Sequence, residues 1–259
     1  MPYELTGLEG KVAVVTGASK GIGLAVTRAL VAEGASVVAG ARSTGGLAGL
    51  DGVHPVAVDL STADGPVRLV EEAVATFGGV DILVNNVGAV RPRLDGFLAI
   101  TDAEWEATLN LNFLAAVRTT RAALPHLLDR APSTIVTIGS VNAFLPDPGV
   151  IDYCAAKAAL GNFCKALSKE FGPRGVRVNT VSPGPVETDL WLGDHGVAAT
   201  VSGGVDPHAV VDKVAATTST GRFTRPDEVA DLVVLLAGGR AGNVTGADVT
   251  IDGGLIQTL

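Results

Sequence analysis

The 259-residue chain predicts an α/β fold, a doubly wound parallel sheet of about seven strands with helices on both faces. Three observations carry this. Strand-like and helix-like segments alternate from one end of the chain to the other, the rhythm of a parallel sheet with crossover helices. The strand-like segments are continuous apolar runs, as expected where both sheet faces are covered. No linker, low-complexity stretch or composition break divides the chain, so a single domain over residues 1–259 is expected.

The elements read in order as follows. "KVAVVTG" is a short apolar run closed by Gly17, a buried strand. In "ASKGIGLAVTRALVAEG", Ile22, Val26, Ala29 and Leu30 recur at helical spacing and Gly34 supplies the stop. "ASVVAGAR" and "GVHPVAVDL" are the second and third strands, and "RSTGGLAGLDG" between them is too short and Gly-rich for a full helix. "DGPVRLVEEAVATFG" is a helix with Pro66 near its first turn, where a missing N–H costs little. "VDILVNNVG" is a fourth strand. Residues 102–130 read as one long helix that Pro125 is expected to bend or divide. "STIVTIGS" is a fifth strand, Val150 to Phe171 a helix, "GVRVNTVSPG" a sixth strand, "PDEVADLVVLLAG" a helix and "ADVTIDGG" the last strand. Residues 189–220 break the rhythm as a long irregular insertion, the kind of loop that often serves as a lid.

Composition narrows the function classes. Apolar residues make up 47% and charged residues 18%, enough for a sizeable core. Aromatics are 4% and glycines 33, so that core is built from Ala, Val, Leu and Ile. A net charge of −8 with no basic run argues against nucleic acid and against electrostatic binding to a membrane surface. No uninterrupted apolar run is long enough to span a bilayer. Cys154 and Cys164 are ten residues apart on one expected helix, about 15 Å along its axis, too far to pair. Free thiols and an N-terminus without signal-peptide character point to a cytoplasmic protein. The four histidines are scattered without zinc-ligand spacing, so no metal site is expected. His195, in the insertion, is a weak candidate for substrate contact.

Two patterns carry chemistry. "VTGASKGIG" joins the first strand to the first helix. Gly17, Gly21 and Gly23 allow a ligand to approach the backbone, and the helix N-terminus offers free N–H groups to a pyrophosphate. The spacing is G-x-x-x-G-x-G, not G-x-G-x-x-G, although strand, turn and helix supply the context that a dinucleotide site requires. The second pattern is "DYCAAK". Tyr153 is one of two tyrosines, and Lys157 follows it by four residues, on the same helical face. A nearby ammonium favours phenolate, and so would draw a phenol of ordinary pKa about 10 toward the range of acid–base work.

Together with "NNVG" at 85–88, "LNLNF" around Asn112, "IGS" ending at Ser140, "RVNTVSPGPVETD" and the terminal "VTGADVTIDGG", these motifs resemble the short-chain dehydrogenase/reductase family. The resemblance covers nearly the whole chain, and members that reduce 3-oxoacyl-acyl-carrier-protein or polyketide ketones are the most similar. It implies a single-domain Rossmann fold whose dinucleotide-binding part is about 8–140 and whose catalytic and substrate part is about 140–259. The family roles make Tyr153 the general acid–base. Lys157 lowers the tyrosine pKa and holds the nicotinamide ribose, Ser140 binds the substrate oxygen, and Asn112 holds a water in a proton relay. Dinucleotide contacts are expected from Gly17, Ser19, Lys20, Gly21, Ile22, Gly23, Arg42, Asp59, Leu60, Asn86, Val87, Gly88, Tyr153, Lys157, Pro183, Gly184, Val186 and Thr188. Val87 departs from the family's alanine and would narrow the channel slightly.

In NAD-binding sheets an acidic residue after the second strand binds the ribose 2′-OH. Here that position is Ala41, followed by Arg42, with Lys20 close by in the glycine turn. Two cations favour a 2′-phosphate, so NADP(H) is expected over NAD(H). Substrate-pocket walls are expected from Asn142, Phe144, Val150, Leu190 and Trp191. Arg91 and Arg93 are candidates for contact with an acyl carrier, and the family suggests a homotetramer. Two other readings stay open: an NAD-dependent sugar, polyol or steroid alcohol dehydrogenase, and a dinucleotide-sensing regulator without turnover.

Overall fold

The strand segments become one parallel sheet because the central ones carry apolar residues on both of their faces. A computed structural model describes residues 6–258, so the ends of the expected 1–259 span lie outside the described residues. The strands are β1 (Val12–Thr16), β2 (Ser36–Ala41), β3 (Val53–Ala57), β4 (Ile82–Asn85), β5 (Ser133–Ile138), β6 (Val176–Pro183) and β7 (Asp248–Ile251). They lie side by side in the order β3-β2-β1-β4-β5-β6-β7, every pairing parallel. Successive residues feed opposite cores, as the two-residue period of a strand requires. Ala13 and Val15 of β1 enter one cluster and Val14 the other. In β2, Val37 and Ala39 share the first cluster and Val38 the second.

The first cluster is covered by α1 (Gly21–Ala32) and α9 (Pro226–Ala237), which contribute Val26, Leu30, Val229, Val233 and Leu236. The second is covered by α2 (Gly65–Phe77), α4 (Ala115–Asp129) and α5 (Ile151–Phe171), through Leu69, Ala73, Ala123, Leu127 and Leu160. Chain order reverses between β1 and β4, so their carboxyl ends diverge and open a crevice.

Two expectations are corrected. Residues 102–130 are not one regular helix bent at Pro125. The interruption lies earlier, in a π-helical turn over Asn110–Leu114 between α3 (Asp102–Leu109) and α4, and Pro125 sits inside α4. The widened turn brings Asn112 to a buried position. The 189–220 insertion is not irregular either: it holds α6 (Asp189–Leu192), α7 (Val197–Val201) and α8 (Pro207–Ala215). The α8 start is legible in retrospect. Pro207 occupies the first turn and the Asp206 carboxylate accepts a hydrogen bond from the Ala209 amide at 3.0 Å. Among the described residues no helix is long and apolar enough to cross a membrane, and no cluster of metal-ligating side chains occurs.

Candidate active site

Beyond the carboxyl ends of the strands runs a continuous cleft of about 960 Å³. One end is lined by the glycine turn, Arg42 and Asp59, and the other by Ser140, Tyr153 and Lys157. Backbone geometry makes the glycine end. Gly17 and Gly21 hold φ of +66° and +52°, a region that other residues rarely adopt. At Gly23 a Cβ would lie 2.2 Å from the Gly17 carbonyl oxygen, so no side chain fits there. Lys20 caps α1 without any side-chain hydrogen bond, which leaves the first amides of that helix to a ligand. This cradle, closed to side chains and rimmed by N–H groups, fits a dinucleotide pyrophosphate.

Asn86 and Thr16 tie the turn to the end of β4. The Asn86 side-chain amide donates to the carbonyls of Thr16 and Gly17 at 2.9 and 3.1 Å, and the Thr16 hydroxyl accepts from the amides of Asn86 and Val87 at 2.8 and 3.0 Å. At the outer end, Arg42 and Lys20 line the cleft and are exposed, while buried Ala41 leaves no carboxylate on β2. Asp59 accepts from the amide and hydroxyl of Ser61, which hold its carboxyl below the ordinary range, with Arg42 adding to the effect.

Tyr153 and Lys157 rise from the first turns of α5. The lysine is 4% exposed, its Nζ 5.7 Å from the centre of the tyrosine ring, and it donates to the Ile138 carbonyl at 2.8 Å. Burial draws its pKa down to about 8. Burial pushes the Tyr153 phenol up to about 12, against the lowering effect of the Ser140 hydroxyl beside it. This runs against the expected direction: in the chain by itself, burial sets the phenol above its ordinary pKa. Tyr153 therefore holds its proton at neutral pH.

Asn112 does not line the cleft directly; its Oδ1 accepts from the Ala89 amide and its Nδ2 donates to the Thr108 carbonyl, both at 3.0 Å. It stands close behind the site, since a Cβ on Gly88 would lie 2.9 Å from Asn112 Oδ1 and 3.7 Å from Lys157 Nζ. The remaining expected dinucleotide residues all line the cleft, from Ser19, Ile22, Leu60, Val87 and Gly88 to Pro183, Gly184, Val186 and Thr188.

Of the expected pocket walls, Asn142, Val150, Leu190 and Trp191 line the cleft. Trp191 is steadied edge-on by buried Phe223, ring centres 5.3 Å apart. Phe144 does not line it; it faces a second cavity, of about 400 Å³, beside Lys165 and Asp248. His195 is exposed and outside the lining. Arg93 is not free for a partner, because its side chain is 7% exposed and paired with Asp152 and Glu104, whereas Arg91 is exposed. Sequence reasoning missed Ser43, Leu145, Val214 and Leu255. Ser43 follows Arg42 directly and could have been included, but Val214 and Leu255 carry no local signal.

The family described as short chain dehydrogenase matches residues 11–194. A 3-oxoacyl-(acyl-carrier-protein) reductase of Vibrio harveyi is 36% identical over 257 residues, covering 96% of this chain and 98% of that protein. The 2,3-dihydro-2,3-dihydroxybenzoate dehydrogenase of Bacillus subtilis is 33% identical over 266 residues, covering 96% and 97%. Among solved structures, the L-sorbose reductase of Gluconobacter frateurii, complexed with NADPH and L-sorbose, superposes with a TM-score of 0.90. It is 33% identical and covers 98% of this chain and 99% of that one. Glycine cradle, crevice and the Ser140–Tyr153–Lys157 group agree with these likenesses: the chain belongs to the short-chain dehydrogenase/reductase family of nicotinamide-dependent oxidoreductases.

Proposed function

We propose that this enzyme is an NADP(H)-dependent carbonyl reductase whose substrate carries its ketone on an apolar body. The observation that carries the reading is a single cleft joining a cationic, carboxylate-free β2 end to the Ser140–Tyr153–Lys157 group. Arg42 and Lys20 would hold a 2′-phosphate by charge-assisted hydrogen bonds, with Gly17, Ser19, Gly21 and Ile22 around the pyrophosphate and Asp59 and Leu60 beside the adenine. Pro183, Gly184, Val186 and Thr188 would hold the nicotinamide end. When bound, the nicotinamide supplies the hydride.

Every other task falls to the chain. Ser140 and Tyr153 present donors where negative charge develops on the carbonyl oxygen, and such placed donors lower a barrier by about 3–4 kcal/mol each. Tyr153, half-buried at the cleft wall, then gives up the proton that it has retained. Lys157, held on the Ile138 carbonyl, is the adjacent charge that stabilises the phenolate left behind. Leu145, Val150, Leu190, Trp191, Val214 and Leu255 line the substrate end and exclude water from the reacting carbonyl.

The nearest alternative is an oxidoreductase acting on a sugar or polyol, favoured by the names of two structural neighbours, the sorbose reductase and an aldohexose dehydrogenase of Thermoplasma acidophilum. The apolar lining favours a ketone, including a 3-oxoacyl thioester. A fluorescence titration with NADPH and NADH, followed by a screen of apolar ketones, 3-oxoacyl thioesters and ketoses at fixed NADPH, separates these readings. Tighter NADPH binding that Arg42→Ala with Lys20→Ala abolishes, and turnover of apolar ketones above ketoses, are the expected results. Equal affinity for both dinucleotides removes the coenzyme assignment, and binding without turnover of any substrate leaves a dinucleotide sensor. We also propose a cytoplasmic homotetramer, with the helices over 102–130 (α3 and α4), α5 and the outer strand β7 as subunit contacts.

A further inference from the structure

Behind Tyr153 lies a chain of buried polar contacts that the reaction as described does not use. It begins at Asp152, the residue before the tyrosine, whose side chain is 2% exposed. Arg93 donates to both of its carboxylate oxygens, through Nε at 3.4 Å and through Nη2. The Thr108 hydroxyl donates to Oδ2 at 2.7 Å, and the Tyr153 backbone amide lies against the same carboxylate. Burial alone would push Asp152 up, but the hydrogen bonds of Arg93 and Thr108 outweigh it and hold the carboxyl below its ordinary range. Arg93 also donates through Nη1 to Glu104 at 2.6 Å, and its own amide donates to the Gly149 carbonyl at 2.7 Å. Thr108 carries the chain further, since its carbonyl accepts from Asn112, which in turn holds Ala89 beside Gly88 and Lys157.

Three segments distant in sequence therefore meet on one carboxylate: the 88–93 segment, the end of α3 with its π-helical turn, and the first turn of α5. Stability alone does not explain this choice, because a buried ion pair is often replaced by apolar residues of similar volume without loss. What the pair adds is direction. A guanidinium fork on a carboxylate fixes two planes relative to each other, which apolar packing does not.

We infer that Arg93, Asp152 and Thr108 are positioning residues, which set the α5 turn bearing Tyr153 against the Asn112 turn and so hold the proton donor at the substrate carbonyl. The inference rests on the proposed role of Tyr153, and Tyr153→Phe is measured alongside it. The purified full chain is assayed with a ketone from the screen for kcat, KM, NADPH affinity and thermal midpoint. Thr108→Ser, which keeps the hydroxyl, retains kcat. Thr108→Val, which removes it, lowers kcat by about tenfold or more with KM and NADPH affinity unchanged, since misplacement of about 1 Å can cost about 10²-fold. Arg93→Met combined with Asp152→Leu keeps the thermal midpoint and loses kcat by about 10²-fold.

The inference is overturned if that double variant folds with the parental midpoint and keeps its kcat. It is equally overturned if Thr108→Val and Thr108→Ser behave alike. Should the double variant not fold, the two Thr108 variants decide. A Tyr153→Phe enzyme that still turns over removes the tyrosine reading, and the inference falls with it. Loss of turnover in Tyr153→Phe together with an unaffected Thr108→Val removes the positioning role alone.

Discussion

Lys157 occupies a place that costs the fold and serves the site. Its ammonium is buried with one carbonyl partner, and its pKa falls from 10.5 to about 8. Unfolded chains therefore bind more protons than folded ones between about pH 8 and 10.5, so this group's effect on stability improves as pH rises through that window. Lys157→Met should be more stable than the parent at pH 7, with the difference shrinking from pH 8 to pH 10. Urea midpoints at pH 7, 8, 9 and 10 measure it, and a gap that stays constant with pH contradicts the buried-ammonium account. Tyr153 runs in the opposite sense. A phenol raised from 10 to about 12 keeps its proton longer in the folded chain, so its contribution is present below pH 10 and is lost as pH rises to 12. Its activity role is read by Tyr153→Phe, expected to lower kcat by about 10²–10⁴-fold while NADPH affinity is retained. Wild-type turnover in that variant would leave proton donation to another group.

At the scale of elements, the β1–α1 turn and the start of α3 are held by different means. The turn depends on absent side chains. Gly23→Ala would drive a Cβ to 2.2 Å from the Gly17 carbonyl and 2.5 Å from the Asn86 amide nitrogen, neither of which can yield without opening the β1–β4 crevice. Dinucleotide binding should be lost, and calorimetric titration tests it; parental affinity would show that the cradle is not the binding element. The α3 start depends on a capping box, in which Thr101 and Glu104 satisfy each other's backbone amides. Thr101→Ala should cost about 1 kcal/mol and lower the thermal midpoint by a few degrees. Glu104 also meets Arg93, so a larger loss would mean that the cap supports the Arg93 pair as well as the helix. The glycine turn and the Tyr–Lys helix were legible because their signals are local: glycine spacing, strand before, helix after. The π-helical turn at 110–114 was not. "LNLNF" carries no glycine or proline to mark it, and the extra residue is accommodated by packing against α5 and by the Asn112 bonds to Thr108 and Ala89.

At the scale of the molecule, seven parallel strands with helices on both faces follow from continuous apolar strands separated by helical runs, and the sheet order opens the crevice at the β1–β4 reversal. The proposed homotetramer is tested by sedimentation equilibrium, which should return four times the 26.1 kDa of one chain; a monomer mass ends that proposal. What the amino-acid sequence determined by itself is the fold class, the glycine turn after the first strand and the pairing of Tyr153 with Lys157 on one helical face, because each rests on residues near one another along the chain. Only the tertiary structure decided which arginine is free and which is buried, that Phe144 turns to another cavity, that Val214 and Leu255 close the cleft, and that the phenol is raised rather than lowered. Those outcomes depend on desolvation and on contacts between segments far apart in sequence, and no local pattern encodes either.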